Sequence, residues 1–138
     1  MQITQGTKIV GLMGHPVAHS LSPALHNRLY DRLGLDMAYV AFDVPPERVA
    51  AAVEGFRALG FLGFNVTIPH KEDVYRLVDR VDREAEAIGA INTVKIENGF
   101  LTGYNTDGQG FLRSLEHSGI RLKGGKIVLL GSGGSARS

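Results

Sequence analysis

The sequence predicts an α/β protein, in which a mixed and mainly parallel sheet lies between two layers of helices as a three-layer α/β/α sandwich. Three observations support this fold class. Short apolar runs alternate with segments of helical periodicity, an Asn-Gly pair separates two of these runs, and glycine or proline ends most segments. A last apolar run precedes a glycine-rich stretch and predicts the start of a second unit.

Strands are predicted wherever a short apolar or β-branched run stops at a glycine, a proline or a polar turn. By this rule the strands cover residues 8–13, 37–44, 61–67, 91–96, 100–104 and 126–130. Asn98 and Gly99 separate the fourth strand from the fifth. This dipeptide favours a two-residue hairpin turn because both residues tolerate a positive φ.

Helices are predicted between the strands from apolar spacing and from the residues that begin and end helices. Ser22 is expected to be the N-cap of the first helix, with Pro23 at the first helical position and Gly34 just past the end. Leucines at 25, 29 and 33 recur at helical spacing within it. The other helical segments are 46–60, 71–78, 83–88 and 106–117.

Composition excludes several classes of function. The formal net charge is +1 and no basic stripe is present, so neither nucleic acid nor a membrane surface is an expected partner. Residues 1–8 lack the pattern of a secretory signal, and no apolar run approaches the ~18 residues of a membrane span. The absence of cysteine excludes disulfides and a thiol nucleophile. We therefore expect a cytoplasmic protein that acts on a small molecule.

The glycine-rich stretch has the pattern G-x-G-G-x-A and predicts a dinucleotide-binding loop of the Rossmann type. Its residues are Gly131, Ser132, Gly133, Gly134, Ser135 and Ala136. Glycines permit a tight turn after the strand and close approach of the backbone to a pyrophosphate, although glycine clusters after strands also serve as plain turns. A βαβ unit needs about 30 residues or more, so we expect the natural protein to be longer.

Polar side chains gather at the ends of the predicted elements. In open α/β sheets, ligands bind beyond the carboxyl ends of the strands, so these clusters predict a pocket for a small polyhydroxylated molecule. The candidate residues are Ser20, Ser22, Asn65, Thr67, Lys71, Asn92, Asn105, Thr106 and Asp107. No metal site is expected at His15 and His19, because no carboxylate completes a known ligand pattern and Pro16 interrupts a helix.

Each cluster also has a purely structural interpretation, and the residues alone leave both open. Ser22 would serve as an N-cap, Asn105 to Asp107 would begin the next helix, and Lys71 would be one solvated lysine among 15 lysines and arginines. His26 and His70 are expected to be packing or surface histidines.

Five strings taken together resemble the shikimate dehydrogenase family over essentially the whole chain. They are HSLSP at 19–23, NVTIPHK at 65–71, GAINT at 89–93, GYNTDG at 103–108 and the glycine-rich loop at 131–137. The resemblance implies an enzyme of the pathway to aromatic amino acids, which reduces 3-dehydroshikimate to shikimate reversibly with NADPH. It also implies a substrate-binding domain at 1–105, a connecting helix and loop at 106–124, and the start of an NADP-binding Rossmann domain at 125–138.

The resemblance implies a role for each candidate residue. Ser20 and Ser22 would hold the substrate carboxylate. Asn65, Thr67, Asn92 and Asp107 would bind ring hydroxyls, and Lys71 and Asp107 would form the catalytic pair. Residues 131–136 would hold NADP. We prefer Lys71 as the acid and electrostatic stabiliser, because a neighbouring carboxylate favours its charged form.

Three alternatives remain. A quinate or dual quinate/shikimate dehydrogenase of the same superfamily shares these motifs. The choice between NAD and NADP is a separate question, because the residue that decides it would lie ~20 residues past the loop. A non-catalytic binding module would need neither Lys71 with Asp107 nor the loop. A related dehydrogenase of folate or amino-acid substrates would carry other substrate motifs. A monomer and a homodimer are both compatible with the sequence, and negligible dehydrogenase activity is expected of this chain alone.

Overall fold

The computed structural model describes residues 2–138 and contains a six-stranded sheet. The strands are β1 (Lys8–Gly14), β2 (Met37–Asp43), β3 (Gly63–Val66), β4 (Arg80–Val81), β5 (Thr93–Glu97) and β6 (Phe100–Tyr104). Their order across the sheet is β2-β1-β3-β5-β6-β4. The β1 pairings with β2 and β3 and the β4 pairing with β6 are parallel, whereas β5 runs antiparallel to β3 and β6. The predicted mixed, mainly parallel sheet is confirmed.

The hairpin between β5 and β6 is also confirmed. Asn98 and Gly99 have φ values of 52° and 77°, and the register places Glu97 opposite Phe100. Positive φ at both central residues is the requirement that makes Asn-Gly favourable in this turn. Strand β4 was not predicted from the sequence, because two residues are too few to show any periodicity.

Helices alternate with the strands along the chain. They are α1 (Ser22–Leu33), α2 (Val49–Ala58), α3 (Lys71–Tyr75), α4 (Arg83–Ile88), α5 (Asp107–His117) and α6 (Gly134–Arg137), and a 3₁₀ turn at Pro46–Arg48 leads into α2. Gly34, at φ 65°, ends α1 as expected. The N-cap prediction for Ser22 is wrong: Leu21 occupies that position, Ser22 is the first helical residue, and no side chain caps the helix.

Helix α1 packs on the sheet through aromatic residues. Its leucines at 25, 29 and 33 are 47–67% exposed. Tyr30 instead packs in a small core cluster with Leu12, Val17 and Tyr39, and the His26 ring stacks on Tyr39 with centroids 4.3 Å apart. The leucine spacing thus predicted the helix, but the aromatic side of the helix faces the sheet.

The larger core lies on the opposite face of the sheet. Phe56 of α2 contacts Phe42, Phe61 and Phe64 through their rings, and α3 and α4 add Val74 and Ala85 to the same cluster. Successive side chains of a strand point to opposite faces of the sheet. Leu12 of β1 therefore packs in the small cluster, and its neighbour Met13 packs in the large one. Helices therefore cover both faces, as the three-layer prediction required.

The strand predicted at 126–130 is absent from the structure. This segment has no regular hydrogen-bonded conformation, and its apolar side chains are 68–91% exposed. A strand is stabilised by its neighbours, and none of the described strands lies beside this run. Among residues 2–138, no helix is long and apolar enough to cross a membrane.

Candidate functional site

The predicted polar clusters meet at one edge of the sheet. Strands β1 and β3 are parallel, so the loops that follow them leave from the same edge. Strand β5 is antiparallel to both neighbours, so it begins where β3 and β6 end, and Thr93 lies opposite both Asn65 and Tyr104. The topology therefore brings all four clusters to the carboxyl ends of β1, β3 and β6.

An ammonium and a carboxylate are paired at the centre of this edge. Lys71 Nζ lies 2.5 Å from Asp107 Oδ2, and the two side chains are 14% and 33% exposed. Both residues begin helices, since Lys71 opens α3 and Asp107 opens α5. The starts of α3 and α5 therefore bring Lys71 and Asp107 into contact, although the two residues are 36 positions apart in the chain. Both charged groups are partly buried.

Asn105 and Asn92 fix the position of the carboxylate. Asn105 is buried, accepts a hydrogen bond from the Asp107 backbone N–H at 3.0 Å, and donates from Nδ2 to the Ala90 carbonyl. Asn92 Nδ2 donates to Asp107 Oδ1 at 2.7 Å and to Thr106 Oγ1 at 2.9 Å. Asn105 thus supports the first turn of α5 from just outside the helix, and each oxygen of Asp107 accepts one hydrogen bond.

Asn65 continues this hydrogen-bonded array across the sheet. Its Nδ2 donates to Thr93 Oγ1 at 3.0 Å, and its Oδ1 accepts from the Tyr39 hydroxyl at 2.7 Å. Thr93 in turn donates to Asn92 Oδ1 at 3.0 Å. A continuous array of hydrogen bonds thus runs from Lys71 to Tyr39.

Tyr39 is a member of the site that the sequence did not predict. It lies in β2, two strands away from Asn65, and the two residues face the same side of the sheet because Ala41 and Asn65 both pair with Leu12. Burial raises the pKa of Tyr39 to about 12; the nearby Tyr30 adds to the rise and a hydrogen bond from Ser22 opposes it. The hydroxyl is therefore protonated at neutral pH.

Ser20, Ser22 and Thr67 line a cavity of about 270 Å³ together with apolar residues of β1 and its following loop. The Ser22 backbone N–H donates to Ser20 Oγ at 3.3 Å, which holds the two serines on one turn. Thr67 approaches β1 closely because residue 14 is glycine: a Cβ there would overlap Thr67 Cγ2 and lie 2.9 Å from Val17 Cγ1.

A second cavity of about 370 Å³ lies between the start of α3 and the glycine-rich loop. Ile68, Pro69, Lys71 and Glu72 line one side, and residues 130, 131 and 133–136 line the other. Lys71 Nζ donates to Ser135 Oγ at 3.1 Å, and Arg137 forms an ion pair with Glu72. Ile68 belongs to both cavities, so they adjoin at that residue.

Two glycines shape the loop side of the second cavity. Gly131 has a φ of 117°, which an L side chain rarely adopts. A Cβ at Gly134 would lie 3.0 Å from Ala90 Cβ and 3.7 Å from Lys71 Cβ. A side chain would therefore strain the backbone at Gly131 and crowd Ala90 at Gly134.

His15, His70 and a third cavity lie outside this array. His15 pairs with Asp43 at 2.7 Å, and His70 is fully buried with Nε2 2.6 Å from the Val44 carbonyl oxygen. A third cavity, about 560 Å³, is larger than these two and lies beside the C-terminal end of α5 among residues 112–123. It contains none of the predicted site residues, so we assign the site by its polar groups rather than by cavity size.

Comparison with known proteins gives one family. Residues 12–94 match the family described as the shikimate dehydrogenase substrate binding domain. A shikimate dehydrogenase (NADP(+)) of Methanopyrus kandleri is 57% identical over 133 residues, which are 96% of this chain and 46% of that protein.

Two solved structures have the same fold. A shikimate dehydrogenase in complex with NADP+ is 50% identical, with a TM-score of 0.94 over 99% of this chain and 47% of that one. The enzyme of Thermus thermophilus in complex with shikimate is 44% identical, with a TM-score of 0.90 over 95% of this chain and 50% of that one. The chain therefore spans about half the length of the relatives it matches.

Proposed function

Because the chain belongs to the family of shikimate dehydrogenase substrate-binding domains, we propose that the full-length protein is an NADP-dependent shikimate dehydrogenase. The proposed reaction is the reversible reduction of 3-dehydroshikimate to shikimate. The observation that carries this proposal is the Lys71–Asp107 pair, because it lies beside the glycine-rich loop and at the end of an array of polar side chains. A binding module would need no charge pair at that position.

Lys71 is proposed to be the proton donor in the reducing direction. When bound beside Lys71, NADPH would be the source of the hydride for the ketone carbon. Negative charge then develops on the ketone oxygen, and a positioned ammonium both stabilises that charge and delivers a proton. An ammonium has three protons. Asp107 and Ser135 each accept one from Lys71, which leaves the third for the substrate oxygen.

Asp107 is proposed to orient Lys71 and to bind a ring hydroxyl of the substrate. Its contact with Lys71 fixes the position of the ammonium at this edge of the sheet. Asn92 holds the other carboxylate oxygen and is proposed to bind a ring hydroxyl as well, exchanging its bond to Thr106 for one to the substrate. Carboxylate and amide groups suit a polyhydroxylated ring because hydroxyls both donate and accept hydrogen bonds.

The substrate carboxylate and the remaining ring hydroxyls are assigned to the cavity of about 270 Å³ and to Asn65 beside it. Ser20 and Ser22 are proposed to donate hydrogen bonds to the substrate carboxylate, and Thr67 and Asn65 to bind ring hydroxyls. The turn that holds both serines, and the absence of a capping role for Ser22, support this assignment.

The residues of the second cavity fit the nicotinamide end of NADP. Gly134 lacks the Cβ that would lie against Ala90 and Lys71, and a volume of about 370 Å³ lies within the range of small-molecule sites. Residues 131–136 would hold the cofactor through their backbone. We accordingly propose a substrate-binding domain at 1–105, a connection at 106–124, and the start of the cofactor domain at 125–138.

The proposal is tested by the rate at which the purified full-length protein reduces NADP+ with shikimate, with quinate as the comparison substrate. Turnover with shikimate and much slower turnover with quinate are expected. Comparable rates with both acids would favour a dual quinate/shikimate dehydrogenase. Binding of shikimate without any NADP+ reduction would refute the enzymatic proposal and favour a binding module.

A further inference from the structure

Tyr39, Thr93 and the Asn92 carbonyl together hold the amide of Asn65 in one orientation. The Tyr39 hydroxyl donates to Asn65 Oδ1 at 2.7 Å, while Asn65 Nδ2 donates to Thr93 Oγ1 at 3.0 Å and to the Asn92 carbonyl at 3.3 Å. A flipped amide would place its oxygen against the Asn92 carbonyl, where two acceptors repel. The bonding groups around Asn65 are therefore satisfied in one orientation only.

This orientation fixes what Asn65 can offer to a ligand. Both Nδ2 protons are donated within the protein, and one lone pair of Oδ1 is used by Tyr39. The remaining capacity is the second lone pair of Oδ1. Asn65 can thus accept a hydrogen bond from a substrate hydroxyl but has no proton left to donate.

Tyr39 is itself held by two residues of α1. The Asn27 side chain on α1 bonds both backbone groups of Tyr39, accepting from its N–H at 2.8 Å and donating to its carbonyl at 2.9 Å. The His26 ring lies parallel to the Tyr39 ring, with an interplanar angle of 5°. Because the Tyr39 side chain is buried and fixed in this way, its hydroxyl offers Asn65 Oδ1 a hydrogen-bond donor at a defined position.

We infer that Tyr39 is a positioning residue, which holds Asn65 as a hydrogen-bond acceptor for a ring hydroxyl of the substrate. The inference rests on the proposed function, since it assigns Asn65 to the substrate. The Tyr39 ring stacks on His26 and its hydroxyl donates to Asn65 Oδ1, so ring packing and one hydrogen bond fix the position of the hydroxyl.

Tyr39→Phe in the full-length protein tests this role. The KM for shikimate should rise about fivefold to tenfold, the factor that one lost hydrogen bond typically carries, because Asn65 Oδ1 then lacks the donor that holds it in place. The kcat should stay within about twofold, because Lys71 and Asp107 are untouched. Tyr30→Phe is the matched control: it removes a hydroxyl from the same core cluster and should leave the KM unchanged.

A double-mutant cycle separates this role from a general loss of structure. In the Asn65→Ala background, Tyr39→Phe should cause no further rise in KM, because the residue through which it acts is already absent. Equal rises in both backgrounds, or a lower melting temperature with an unchanged KM, would overturn the inference. A wild-type protein without shikimate oxidation would instead refute the proposed function.

Nuclear magnetic resonance of the wild-type full-length protein provides a readout that needs no variant. Through-space contacts from the Asn65 side-chain NH2 to Thr93 are expected. Contacts that place this NH2 against the Tyr39 ring, with none to Thr93, would show the opposite amide orientation and overturn the inference without reference to catalysis.

Discussion

Replacing Lys71 by methionine keeps most of the side-chain volume but removes the ammonium from the site. In the structure this ammonium contacts Asp107 at 2.5 Å and Ser135 at 3.1 Å, and it is the cation that lines the cavity beside the glycine-rich loop. The substitution therefore removes both the proposed proton donor and the positive charge that stabilises the developing oxyanion.

The size of the effect follows from these two roles. A positioned general acid contributes about 10²–10⁴ in rate, so kcat in the full-length protein should fall about 10³-fold, or ~4 kcal/mol. The KM for shikimate should change by less than about threefold, because Ser20, Ser22 and Asn65 retain their positions. Steady-state kinetics of NADP+ reduction with shikimate measure both values.

Lys95→Met is the matched control for this experiment. Lys95 also pairs with a carboxylate, Glu97 at 2.8 Å, but it lies exposed on the β5–β6 hairpin. Its replacement should leave both kinetic constants unchanged. Retention of the wild-type kcat by Lys71→Met, with loss of affinity alone, would refute the catalytic role of Lys71.

Three further changes test the packing and charges that support the site. Leu101→Ala should lower the free energy of unfolding by about 2–5 kcal/mol in denaturant titrations, because Leu101 is fully buried in the larger core. Gly14→Ala should cost about 1–3 kcal/mol and raise the KM for shikimate, because the new methyl group displaces Thr67; an unchanged KM would count against the position of Thr67 in the site. Hydrogen bonds from Arg57 and from the Leu101 backbone N–H lower the pKa of Asp79 below 3.8. The ionised Asp79 carboxylate therefore stabilises the folded protein above about pH 4, and this contribution is lost as the pH falls through the native pKa. The difference in melting temperature between wild type and Asp79→Asn should therefore shrink as the pH falls below about 4, and a constant difference would contradict the ion pair.

Local signals in the sequence predicted most of the fold. The Asn-Gly turn, the glycine after α1 and the apolar runs each act through neighbouring residues, so the hairpin, the helix end and five strands could be located without any long-range information. The short strand β4 could not, because its pairing with β6 places Arg80 opposite Thr102, a partner distant in the chain.

The same difference between local and long-range information decided which site residues could be predicted. Lys71, Asn92 and Asp107 were found because they lie in recognisable strings at the ends of elements, and the structure brings them together. Tyr39 was missed because its relation to Asn65 depends on the register of β2, β1 and β3. The predicted N-cap, Ser22, was wrong by one residue, because Leu21 is the N-cap of α1 and Ser22 is its first helical residue.

The predicted strand at 126–130 shows the limit of apolar patterning. A run of β-forming residues predicts that a segment can pair, whereas pairing itself requires a neighbouring strand in the correct position. No described strand provides that neighbour, so the run is exposed in the structure.

A crystal structure of the full-length protein with shikimate and NADP+ is the most direct test of the central claim, which is that Lys71 contacts the reacting oxygen. We expect Lys71 Nζ within about 3.2 Å of the substrate hydroxyl that is oxidised, with Asp107 on the same group. Shikimate bound at another place, or bound here with its reacting hydroxyl directed away from Lys71, would contradict the assignment.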